Sequence, residues 1–155
     1  MNIKIMTYNI QHGLDYKKLL NKERVIDLDK IVNILKKYNP DIIALNEVYN
    51  DNEIIITTRQ VNYIAEKLGY KYFSFGKSIT LNNGIEYGNG FISKYPILNV
   101  LVHKIPDPVI KDENAYYESR IIMEVDVNIE NENIKCFLTH IGLANKEKEL
   151  QILKG

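Results

Sequence analysis

The chain has a single cysteine, Cys136, which excludes an internal disulfide and a multi-cysteine zinc site. Cys136 sits in the apolar run "IKCFLTH" and reads as a small core residue rather than a nucleophile. No apolar stretch approaches the roughly 18 residues that a membrane span needs. The first residues lead straight into a strand pattern, without a basic segment, an apolar region and a small-residue cleavage site, so the expectation is an unexported, cytoplasmic protein with no membrane span. Charge of either sign is not in surplus: 20 Lys and Arg balance 20 Asp and Glu. A global basic field of the kind that drives nonspecific nucleic-acid binding is therefore absent. This balance lowers the expectation of a processive or tight DNA binder. No internal repeat, low-complexity tract or linker is visible. At 155 residues the expectation is one domain over 1–155.

What is present is an alternation of strand and helix patterns. In "NIKIMTYNI", Ile3, Ile5, Thr7 and Asn9 alternate with Lys4, Met6, Tyr8 and Ile10, and the run ends on an asparagine. The pattern returns in "DIIALNEV", where a buried strand over Asp41 to Leu45 is followed by Asn46 and Glu47. Between them, Ile31, Leu35 and Tyr38 stand at helical spacing and Pro40 stops the helix. "TTRQVNYIAEKLGY" reads as a second helix, capped by Thr57 or Thr58 and closed by Gly69. Strands follow over Tyr70 to Phe75, Tyr87 to Lys94, Ile97 to His103, Ser119 to Val127 and Ile134 to Ile141, separated by the turn clusters "LNNG", "KYP" and "NIENEN". The "ENEN" turn predicts an antiparallel hairpin. A final helix begins in "LANKEKELQILKG", with Leu150 and Leu153 on one face. Two packed sheets with helices outside fit this order.

Polar groups stand at strand ends or in adjacent turns in five places: Asn9, Glu47, Asn89 in "YGNGFISKYPI", Glu118 with Arg120 in "YESR", and His140 in "FLTHIGL". Each has a structural reading taken singly. Asn9 reads as a satisfied turn amide, Glu47 as a cap or surface carboxylate, Glu118 with Arg120 as an ion pair, and His140 as a core histidine, although Gly142 leaves it room to face a ligand. His12 reads as a turn residue beside the pocket rather than a catalytic group.

Taken together and in order, "MTYNIQHG", "PDIIALNEV", "YGNGFISKYPI", "ESR" and "THIGL" resemble the motifs of the endonuclease/exonuclease/phosphatase superfamily over nearly the whole chain. The resemblance implies an α/β (α+β) fold, the four-layer α/β/β/α sandwich of the deoxyribonuclease-like type, with its C-terminal part missing. It implies a metal-dependent phosphoesterase or phosphodiesterase that uses Mg²⁺, with Mn²⁺ as the alternative ion, and within that class the balanced charge favours a small phosphoester or a lipid head group over nucleic acid. Glu47 matches the metal-binding glutamate. Asn9, Arg120 and His140 match active-site groups, and Asn89 and Tyr87 are placed as substrate-lining groups. The family's "GDFN"-like and "SDH"-like segments have no counterpart in the 155 residues. The expectation is accordingly an incomplete, weakly active copy that self-associates through an uncovered sheet. The competing expectation is a noncatalytic domain of the same fold that binds a phosphorylated ligand or a partner.

Overall fold

The computed structural model describes residues 2–50, 59–111 and 113–154. Seven strands form two sheets. The first has the order β1 (Ile5–Asn9), β2 (Ile42–Asn50), β4 (Glu86–Ser93), β3 (Tyr72–Thr80), and the second the order β5 (Ile97–Lys104), β6 (Ile121–Ile129), β7 (Glu132–Thr139). Among the described residues the only parallel pair is β1 with β2, joined by the crossover that contains α2 (Leu28–Tyr38). The other pairings are antiparallel.

Helix α2 forms where the sequence places it. Asp27 caps it by accepting from the Lys30 amide at 3.2 Å, and Asn39 closes it in the left-handed region at φ +45°, ahead of Pro40. Its buried stripe is Leu28, Ile31, Val32 and Leu35. Tyr38, expected on that stripe, is 52% exposed, because the chain turns away at Asn39 just where the tyrosine would reach the sheet. Helix α3 (Gln60–Leu68) ends at Gly69, whose φ of +75° suits a residue without a side chain. The expected caps Thr57 and Thr58 lie outside the described residues. A short helix, α1 (Tyr16–Leu20), was not expected. Asp15 caps it and one turn is too brief to show a periodicity.

Helices α2 and α3 cover one face of the first sheet around the fully buried Leu35, Ile43, Leu45, Val48, Ile64 and Ile92. The second core lies between the sheets, where Ile42 and Phe91 meet Ile121, Met123, Val125 and Val127. Fully burying one such side chain is worth about 1.5–3 kcal/mol. The sheets approach closely at Gly76, where a Cβ would lie 2.6 Å from Met123 Cγ. The architecture is thus mixed α/β, with helices, first sheet and second sheet in successive layers.

Strand β1 is less buried than its apolar pattern implied. It is an edge strand with Ile5 64% exposed, and Met6 and Tyr8 carry its core-facing side. Strand β2 runs on through Asn50 instead of stopping at Leu45, and β3 runs from Tyr72 to Thr80 rather than over Tyr70 to Phe75. The hairpin β6–β7 turns at Glu130 and Asn131, both at positive φ, as a two-residue connection of twisted strands demands. Helix α4 (Asn145–Lys154) closes the described chain; the side chains of Leu150 and Leu153 lie outside the description. No described helix is long and apolar enough to cross a membrane.

Candidate active site

Parallel pairing of β1 and β2 sets Asn9 directly beside Asn46 at the carboxyl ends of two strands. The β2–β4 register then slips between Leu45 and Val48, and Glu47 occupies this bulge at φ +59°. A bulge turns a side chain out of the alternating pleat, and a left-handed glutamate costs about 1–2 kcal/mol that the surrounding ladder must overcome. The result is a carboxylate aimed at its neighbour. Asn9 Nδ2 donates to Glu47 Oε1 at 2.7 Å, while Asn9 Oδ1 accepts from the Gln11 amide at 3.0 Å. Asn46 points inward, donating to Asn89 Oδ1 at 3.0 Å and to the Thr139 carbonyl at 3.4 Å.

The second sheet supplies the opposing groups. Antiparallel pairing of Ile122 with Thr139 brings Arg120, just before β6, next to His140, just after β7. Arg120 Nη1 donates to His140 Nδ1 at 2.8 Å. A guanidinium has no acceptor, so Nδ1 must accept and the imidazole proton sits on Nε2. That nitrogen lies 3.7 Å from Glu47 Oε1. Burial holds the His140 pKa below the ordinary histidine range, and Arg120 reinforces the effect against the opposing pull of Glu47 and Glu147. His140 is therefore a neutral Nε2–H donor.

Arg120 is itself buried and held by two carboxylates, Glu118 Oε2 at 3.1 Å and Glu147 Oε1 at 3.7 Å. Burial raises the pKa of Glu118 in spite of Arg120, and Glu47 and Glu147 push it further the same way. Glu147 comes from α4 and also accepts from the Glu118 amide at 3.2 Å. Gly142 makes room for it: a Cβ there would stand 2.2 Å from Glu147 Oε2.

These groups line one cavity of about 510 Å³. Asn9, Glu47, Arg120, His140 and Tyr87 all reach it, as expected from the sequence. Burial and the neighbouring Glu47 and Glu118 drive the Tyr87 phenol pKa upward, which keeps it a neutral donor. Asn89 does not line this cavity. It is 3% exposed and serves as a buried bracket for Asn46, because the pleat turns its side chain inward at the point where β4 is covered on both faces.

Tyr49, Tyr116 and Leu143 are lining groups outside the sequence reading, while His12 is the turn residue which that reading puts beside the pocket. His12, at φ +45°, stacks on Tyr49 with ring centroids 4.4 Å apart and planes 9° apart, and Tyr87 meets Tyr49 edge-on at 5.8 Å. Both His12 ring nitrogens are buried with no hydrogen-bond partner among the described residues, at a cost of about 1–3 kcal/mol for each unsatisfied group. Fully buried Gln60 fixes both segments: Nε2 donates to the His12 carbonyl at 2.7 Å and Oε1 accepts from the Tyr49 amide at 3.0 Å. None of these carries a local signal, since each contact joins residues from separate elements.

The donor set fits a hard divalent cation. Mg²⁺ takes only one or two carboxylates, with waters and substrate oxygens completing its shell. Glu47, pinned by Asn9 and facing the cavity, meets that requirement, and with Glu118 and Glu147 sharing one guanidinium the added Glu47 carboxylate favours positive charge. Among the described residues no group of three or more His, Cys, Asp or Glu side chains forms an all-protein cage.

The sequence profile of the Endonuclease/Exonuclease/phosphatase family matches residues 6–119. Among solved structures, the fold is similar to an endonuclease/exonuclease/phosphatase from Beutenbergia cavernae DSM 12333, with TM-score 0.75 and 23% identity, covering 97% of this chain and 41% of that one. A family protein from Leptotrichia buccalis C-1013-b gives TM-score 0.69 and 17% identity, with 99% and 63% covered. A mannosyl-6-phosphatase from Bacteroides thetaiotaomicron VPI-5482 gives TM-score 0.62 and 15% identity, with 99% and 58% covered. The chain thus spans less than two thirds of the length of each. No curated protein sequence matches it. With the profile covering well over half of its residues, the chain belongs to the endonuclease/exonuclease/phosphatase family.

Proposed function

We propose that this chain carries the Glu47 half of a Mg²⁺-dependent phosphoesterase site, acting on a small phosphoester. The carrying observation is the convergence of four groups from two sheets: Asn9 on Glu47 at 2.7 Å, Arg120 on His140 at 2.8 Å, and His140 Nε2 at 3.7 Å from Glu47. A cation bound at Glu47 would neutralise charge developing on the phosphoryl group. Asn9 keeps the carboxylate turned to the cavity, His140 donates its Nε2 proton to a phosphoryl oxygen, and Arg120 holds the imidazole in that tautomer. Tyr87, neutral and beside Glu47, lines the substrate's path. Mn²⁺ serves the same oxygen donors.

The 155 residues supply donors and a metal anchor, but His140 cannot act as a base through Nδ1 while Arg120 occupies it. Groups that work as one catalytic unit lose most of the rate when a central member is missing. The isolated chain is therefore proposed to be slow. The four-layer sandwich would require a further helical layer on the outer face of the second sheet, where Leu101 and Phe137 are 45% and 65% exposed. The test is hydrolysis of bis-nitrophenyl phosphate with Mg²⁺: Glu47→Ala should abolish turnover, and an unchanged rate would refute the metal assignment. The occupied Nδ1 of His140 favours a second reading, a phospholigand-binding domain without turnover. Titration calorimetry separates the two, because binding that persists in excess chelator with no hydrolysis supports the second.

A further inference from the structure

One half of the cavity has no role in handling a phosphoryl group. At about 510 Å³ it is the size of a small-molecule site and far larger than one phosphate requires. Beyond the polar cluster and Gln11 its lining is aromatic and aliphatic. His12, Tyr49 and Tyr87 form a contiguous ring cluster, stacked at 4.4 Å and then edge-on at 5.8 Å. Tyr116 and Leu143 reach the same cavity while 65% and 72% exposed, an apolar surface that water covers poorly. His12 is held in a left-handed conformation with both ring nitrogens buried and unpartnered among the described residues. With its polar atoms unpartnered, the residue offers the cavity its ring, and strain of this kind concentrates at ligand sites. Burial, then Arg24, lowers its pKa, so the ring is neutral and aromatic rather than cationic.

We propose that the alcohol portion of the substrate carries an aromatic ring, received by the His12–Tyr49–Tyr87 cluster and the Tyr116 and Leu143 rim while the phosphoryl group lies against Glu47, Arg120 and His140. This assignment rests on the phosphoesterase reading and narrows it. A polyhydroxylated alcohol such as a sugar needs converging polar partners, whereas offset and edge-to-face ring contacts reward a planar aromatic group. Gln60 fixes the His12 and Tyr49 backbones together, so the ring wall exists before any ligand arrives.

Benzylphosphonate and methylphosphonate share a non-hydrolysable head group and differ by the ring. Titration calorimetry with Mg²⁺ should show benzylphosphonate binding about tenfold more tightly, which is about 1.4 kcal/mol. Tyr116→Ser and Leu143→Ser change exposed side chains and leave the fold intact. They should each erode that preference about threefold, at the level of one side-chain contact with the ring. Equal affinity for the two ligands in the wild type overturns the aromatic assignment and leaves the phosphoesterase reading standing. A benzyl preference untouched by both substitutions and by Tyr49→Ser overturns the location. Failure of both phosphonates to bind overturns the phosphoesterase reading and this inference with it.

Discussion

Arg120 is the residue on which the polar cluster turns. Its guanidinium touches His140, Glu118 and Glu147 at once, and it is only 7% exposed. Because it can only donate, it decides which imidazole nitrogen carries the proton. Replacing it by methionine keeps the length and removes the donor. In Arg120→Met the ¹⁵N spectrum of His140 should lose the signature of an Nδ1 acceptor, and hydrolysis should fall by about 10²-fold, the range of one positioned charge-stabilising donor. Glu147 belongs to the same cluster from the far end of the chain. Glu147→Ala leaves the Glu118 amide without its acceptor and Arg120 with one carboxylate fewer, and should lower stability by about 1–3 kcal/mol, read as a reduced denaturation midpoint. Gly142→Ala should do the same by displacing the Glu147 carboxylate, since its added Cβ overlaps Oε2.

At the scale of elements, the bulge in β2 explains why a carboxylate in the middle of a strand can serve a site. A regular pleat would send Asn46 and Glu47 to opposite faces of a sheet that is covered on both. The slipped register keeps Asn46 inward, bonded to Asn89, and throws Glu47 out to Asn9. Strain of this kind predicts a trade between stability and function. Glu47→Asn places in the left-handed region a residue that tolerates it. The thermal midpoint of that variant should be unchanged or raised, within about 1 kcal/mol, while Mg²⁺-dependent hydrolysis is lost. The hairpin β6–β7 does for Arg120 and His140 what the parallel pair does for Asn9 and Glu47: its register makes neighbours of residues 20 apart in the chain.

At the scale of the whole molecule, Asp41 ties the start of β1 to the turn after β4. It accepts from the Lys4 amide at 2.8 Å and from Lys94 Nζ at 2.9 Å, and these bonds hold its carboxyl below the usual carboxylate range. The unfolded chain binds this proton first as pH falls. The stabilisation is complete above the ordinary aspartate value of about 3.9 and disappears as pH drops through the lower folded value. Asp41→Asn should therefore lower the melting temperature at pH 7, and the gap from wild type should close below about pH 4. The outer face of the second sheet is the other property of the whole: Leu101 and Phe137 stand exposed around Glu124, which is hydrogen-bonded to His103 and ion-paired with Lys135. If that face drives self-association, Phe137→Lys should shift sedimentation toward monomer, and an unchanged profile would remove it as the contact.

By itself the amino-acid sequence determined the elements whose causes are local. The α2 stripe and its end before Pro40, the Gly69 closure of α3 and the ENEN hairpin follow from residue spacing and turn chemistry within a few residues. It also marked Asn9, Glu47, Arg120 and His140, because each stands at a strand end or turn beside an apolar run, in an order that resembles one family. Only the tertiary structure decided which of these groups meet, since the Asn9–Glu47 and Arg120–His140 contacts are products of strand register, and register depends on how distant faces pack. It set Asn89 behind the cavity as the partner of Asn46, drew in Glu147 from a lysine-rich helix, and assembled His12, Tyr49 and Tyr87 into one wall. No local pattern encodes such meetings; they follow from burial, which couples residues by position in space rather than by separation along the chain.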